Sequence, residues 1–109
     1  MDKWPALRLQ RSKSGDIYCE SVIATDEGWM FSVVGCTDTY LVEFDEDLWP
    51  PRCNCEDNYW RPEVLCKHII YLLRRMGIDE DRLVDPDFAP TQKEIYDMLT
   101  HAPDIVGES

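Results

Sequence analysis

Residues 53–68 read CNCEDNYWRPEVLCKH, and no other stretch of the chain limits its folding so tightly. Three of the five cysteines and one of the two histidines fall there. They form two tight pairs, Cys53-x-Cys55 and Cys66-x-His68, separated by ten residues. Three thiolates and an imidazole suit Zn2+ in a closed tetrahedral site, where neighbouring sulfurs lie about 3.8 Å apart. Residues i and i+2 of extended backbone point the same way, so Cys53 and Cys55 can both reach one ion. On a helix, i and i+2 point to nearly opposite sides. Cys66 is therefore expected at or just before a helix start, with His68 in the first turn. The positive end of that helix would favour the Cys66 thiolate. The plainer alternative is a set of reduced core thiols, or a disulfide, since free cysteines bury well. A C-x-C followed by a C-x-H is nevertheless metal-ligand spacing. Four protein ligands leave no open position for water, so the expected zinc is structural and no enzyme is expected.

The rest of the composition bounds the setting. A chain of 109 residues fits one domain. With 44% hydrophobic and 30% charged residues it has the balance of a soluble globular protein. The start, MDKWPALRLQ, is too polar for a signal peptide, and no apolar run approaches a membrane span. An odd cysteine count, bunched beside a histidine, is not a closed disulfide framework. These features predict an intracellular protein, of cytoplasm or nucleus, with no membrane partner. The formal net charge of −11 disfavours DNA or RNA, whose affinity comes mostly from phosphate neutralisation. It favours a protein partner with a basic surface.

Along the chain, three stretches have strand character: 17–25, 29–34 and 39–44, separated by Asp26-Glu27-Gly28 and Gly35-Cys36-Thr37-Asp38. They predict an antiparallel meander. Pro50-Pro51 predicts that the chain leaves the sheet before Cys53, because proline cannot donate to a ladder. After the donor pairs the period changes. Ile69, Leu72, Leu73 and Met76 stand at i, i+3, i+4 and i+7, a helix over 66–76 with Gly77 at its C-terminal cap. An acidic, proline-containing linker is expected over 79–90. Thr91 and Glu94 form a capping box that opens a short helix over 91–101, whose apolar face is Ile95, Met98 and Leu99. The predicted fold is α+β: a small sheet of three strands, a zinc loop over 53–68, a helix and a short C-terminal helix.

Cys53-x-Cys55…Cys66-x-His68 resembles the signature of the SWIM zinc finger. FSVVGCTDTYLVEF before the site is similar to that family's strand pair. CKHIIYLLRRMGI and EIYDMLTHAP look like the eukaryotic branch found upstream of RING domains in ubiquitin-ligase proteins. The resemblance implies strands, then the C-x-C, then the C-x-H opening a helix, with one structural zinc on the four residues. It also implies binding of a protein or DNA partner. The family's Pro-Asp-aromatic run after the second cysteine is replaced here by Glu56-Asp57-Asn58-Tyr59-Trp60. No further ring of cysteines and histidines follows, so ubiquitin transfer itself is not carried over, only an accessory or substrate-recognition role beside it.

Other residues carry weaker expectations. Tyr59 and Trp60 could anchor a partner, but in so small a domain they are expected to shield the zinc or pad the sheet. Lys67, Arg74 and Arg75, with Arg52 and Arg61, could form a phosphate-binding patch, or simply a solvated helix face. Asp45-Glu46-Asp47 and Asp79-Glu80-Asp81 read as solvated loop. Cys19 and Cys36 are expected to be buried strand residues, and His101 a surface histidine.

Overall fold

The computed structural model describes residues 10, 12–13, 17–26, 28–35, 38–45, 49–60, 65–83, 85 and 88–100. Strands β1 (Tyr18–Ala24), β2 (Gly28–Val34), β3 (Thr39–Asp45) and β4 (Arg52–Cys53) form one antiparallel sheet in sequence order. The fold is α+β as expected, with one strand more than the sequence suggested. Arg52 and Cys53 pair with Glu43 and Val42. Pro51 lies one residue before the ladder, where its missing N–H costs nothing, so the chain rejoins the sheet instead of leaving it.

The β2–β3 register is uninterrupted from Gly28 opposite Asp45 to Val34 opposite Thr39. Gly28 permits this close approach, since a Cβ there would meet the Phe44 carbonyl oxygen at 2.0 Å. Between β1 and β2 the register shifts at Cys19/Ser21. Period-two alternation then sorts the side chains: Cys19, Phe31, Val33, Val42 and Phe44 face the core and are almost fully excluded from water.

Among the described residues, four helices follow: α1 (Glu56–Trp60), α2 (Lys67–Arg75), α3 (Glu80–Leu83) and α4 (Gln92–Thr100). The predicted stripe Ile69, Leu72, Leu73 and Met76 is buried, together with Ile70 and Tyr71. The Tyr71 hydroxyl accepts a hydrogen bond from the Cys19 backbone N–H at 3.3 Å, tying α2 to β1. The helix ends as its sequence predicts. Gly77 has φ +99°, its N–H donates to the Arg74 carbonyl, and that of Ile78 donates to Leu73. These are the two bonds of a Schellman cap.

The acidic stretch 79–90 is not a bare linker. It contains α3, whose first turn is held by the Asp79 carboxylate accepting from the Asp81 N–H, and Leu83 is buried. Beyond it, Phe88 packs edge-on against Trp49, which packs on Phe44 of the sheet. The capping box forms as predicted. The Thr91 hydroxyl accepts from the Glu94 N–H, and the Glu94 carboxylate from the Thr91 N–H. Ile95 and Met98 face the core. Cys36, Arg61 and His101 lie outside the described residues, as do Glu46 and Asp47. No helix is long and apolar enough to cross a membrane, among the described residues.

Candidate metal centre

Cys53, Cys55, Cys66 and His68 converge on one point. All four are buried, and their donor atoms lie within 4.8 Å of one another. Three backbone devices place them. Cys53 closes β4. Cys55 precedes α1, whose first turn includes the Tyr59 N–H donating to the Cys55 carbonyl. Cys66 is the N-cap of α2, in extended conformation, and its carbonyl accepts from the Ile70 N–H. His68 is the second residue of that helix, as the C-x-H spacing predicted.

Two asparagines shape the C-x-C turn. Asn54 continues the sheet edge: its N–H donates to the Leu41 carbonyl, and its side-chain oxygen accepts from the Leu41 N–H at 2.9 Å. Asn58 serves both flanking cysteines. Its side-chain oxygen accepts from the Cys53 N–H at 2.9 Å, and its own N–H donates to the Cys55 sulfur at 3.4 Å. Bonds of this kind orient metal ligands and stabilise thiolate charge. Asn58 was not singled out from the sequence. The available signal is a polar residue at i+3 from a ligand cysteine, at the start of a helix.

The sulfurs compete for protons. Cys55 is held far below the ordinary thiol range, chiefly by hydrogen bonds from Cys53 and Cys66, with the Asn58 N–H assisting. Cys53 is pushed up to about 12, first by its hydrogen bond to Cys55. Cys66 is pushed well above the ordinary range by Cys53 and Cys55 and by burial. Three thiols this close cannot all ionise without a cation among them. A divalent metal removes the conflict by drawing charge from every sulfur, and its affinity falls in acid because protons compete for the same lone pairs.

Among the described residues, the other candidates do not join this cluster. Cys19 is buried in β1, its thiol donates to the Ser21 carbonyl, and burial pushes its pKa up to about 11; it is an inert core thiol. Tyr59 and Trp60 overturn their expectation. They are 75% and 72% exposed, stacked edge-to-face on each other, and neither shields the metal ligands nor pads the sheet. The buried residue of α1 is Asn58, because the Cys53 N–H needs a polar partner there. The described basic residues differ in their surroundings. Arg74 donates to the Ser12 carbonyl and hydroxyl and sits 3.5 Å from a Glu80 oxygen. Arg52 is exposed on β4, opposite Glu43. Lys67 and Arg75 are half-buried.

The donor set, its burial and its spacing make this a site able to hold one metal ion. No family model, curated protein or solved structure matches the chain.

Proposed function

We propose that Cys53, Cys55, Cys66 and His68 bind a single structural Zn2+ in a SWIM-type arrangement. The metal would pin the sheet edge to the start of α2. The observation that carries this reading is the convergence of three thiols and an imidazole, all buried, within 4.8 Å. Soft sulfur donors in a tetrahedral set select zinc over the hard cations. All four positions would belong to the protein, so the metal would hold the fold together and not perform chemistry.

The module's work is then an intracellular protein–protein contact, within a larger assembly. The acidic surface favours a basic protein over a nucleic acid. Tyr59 and Trp60, exposed one helix turn from a ligand, are the anchors of the type that such contacts use. The phosphate-binding alternative draws less support, since Arg74 is already engaged by Ser12 and Glu80. An accessory role beside ubiquitin transfer rests on the sequence resemblance alone.

Two measurements test the reading. The purified chain should carry one zinc, and its Co2+-substituted form should show tetrahedral d–d bands and thiolate charge transfer. Sub-stoichiometric metal, or an octahedral spectrum, would overturn the site. Affinity capture from the native cell, with Tyr59→Ala and Trp60→Ala as controls, should recover a basic protein. Recovery of nucleic acid in a salt-sensitive manner would replace the protein reading with the other.

A further inference from the structure

His68 has two ring nitrogens, and the fold treats them differently. Nδ1 lies 3.7 Å from the Cys53 sulfur and 3.8 Å from the Cys66 sulfur. With Zn–S of about 2.3 Å and Zn–N of about 2.05 Å, the S···N edge of a tetrahedron is about 3.6 Å. Nδ1 is therefore already at ligand spacing from two of the three sulfurs. Nε2 points elsewhere. It is buried and, among the described residues, has no hydrogen-bond partner, and 3.5 Å from it is the point that a Cβ on Gly35 would occupy. The Tyr40 ring lies against the imidazole, with centroids 4.3 Å apart at 34°. The same Gly35 Cβ position is 3.3 Å from Tyr40 Cε2. Gly35 and Tyr40 flank the β2–β3 turn, which closes through the Gly35 N–H on the Asp38 carbonyl at 2.7 Å.

We infer that His68 binds the metal through Nδ1, and that Gly35 and Tyr40 are positioning residues that hold its ring in that orientation. Reach favours the same choice. Nδ1 is two bonds from Cβ, like a ligand on a short arm, and His68 stands only two residues from Cys66 on the same helix start. Rotating the ring by a half-turn about Cβ–Cγ would bring Cδ2, not Nε2, to the place of Nδ1. Presenting Nε2 would require the whole ring to retreat from the sulfurs into the space that Gly35 and Tyr40 bound. Ligation by Nδ1 puts the proton on Nε2. The tilted stack of Tyr40 on the imidazole and the missing side chain of Gly35 then leave room for that N–H. The β2–β3 turn is thus coupled to the metal centre, although neither of its two residues supplies a ligand.

This inference rests on the zinc reading above, and the experiment separates the two. The full chain, with 15N-labelled imidazoles, is loaded with Zn2+ and with 113Cd2+ and examined by long-range 1H–15N correlation. His68 should show a protonated Nε2 and a metal-bound Nδ1, with 113Cd coupling to Nδ1. Coupling to Nε2 would overturn the inference while leaving the site intact. Failure to take up either metal would overturn the site reading and this inference with it. Gly35→Ala and Tyr40→Leu should each weaken Co2+ binding about 10–100-fold, the usual cost of removing an outer partner of a metal ligand. Both should also shift the Co2+ d–d bands, which a merely structural defect would not move. Tyr40→Phe, which retains the ring, should restore the native affinity and spectrum. Unchanged affinity and spectrum in both Gly35→Ala and Tyr40→Leu would remove the positioning role.

Discussion

The two ends of this molecule solve the same problem with different chemistry. At one end, β4, α1 and the start of α2 meet at four buried donors. At the other, α3 meets α4 through the Arg82 guanidinium gripping the Glu94 carboxylate, with Arg82 also lying 4.9 Å above the Phe88 ring. Each device joins segments that share few local contacts. The first is out of water and its donors have no competing solvent. The second is open, with Arg82 and Glu94 41% and 30% exposed, and an exposed ion pair is worth little. The stability of the second end must therefore come from the buried apolar side chains of α3 and α4, Leu83, Ile95 and Met98. A substitution is therefore catastrophic at the first end and graded at the second.

Cys66→Ser is the largest expected effect. It removes a ligand at the N-cap of α2 and leaves two thiolates and a metal mismatched, so zinc content and the cooperative thermal transition should both be lost. A variant that kept both would show that the four donors do not hold this end together. Met98→Ala comes next, at about 2–5 kcal/mol for a buried side chain cut to a methyl. Denaturant unfolding should show that loss with metal content unchanged. Asn58→Ala tests the outer support of the metal end. It leaves the buried Cys53 N–H without its acceptor, at about 1–3 kcal/mol, and should also weaken metal binding, whereas Met98→Ala should not.

Smaller effects belong to α4. Thr91→Ala removes the cap on the Glu94 N–H and should cost about 0.5–2 kcal/mol. Glu94→Gln should act through pH. Arg82, and then the Thr91 N–H, hold the Glu94 carboxyl at about 2, against its ordinary 4.5. Its folded value is depressed, so its stabilising contribution is fully present above pH 4.5 and is lost as pH falls through about 2. The Gln variant should lack that acid-side loss and differ only slightly from the native chain at neutral pH. An acid titration of the melting temperature of both proteins measures the difference. Identical acid limbs would show that the Arg82–Glu94 contact is idle in solution.

Much of the fold was legible in short windows of sequence. The three long strands, the α2 stripe, the Gly77 cap and the Thr91–Glu94 box each depend on residues within one or two turns of each other. The donor set was legible for the same reason: C-x-C and C-x-H encode reach along the backbone. Other features were not. Arg52 and Cys53 re-enter the sheet because β3 offers an open edge after Pro51, which Pro50-Pro51 alone does not show. Tyr59 and Trp60 face water because Asn58 is required inside, and that requirement exists only once the Cys53 N–H has been placed.

Local residue order dictates which atoms could share a metal, where α2 had to begin relative to Cys66, and which faces of the strands and helices were apolar. Those are consequences of bond lengths and of periods of two and 3.6 residues, which act locally. The tertiary structure alone decided which nitrogen of His68 meets the sulfurs, that Gly35 and Tyr40 close around its ring, and that Arg74 is taken up by Ser12 and Glu80. Each of these joins segments far apart in the chain, and only the packing of α2 against the sheet brings them within reach.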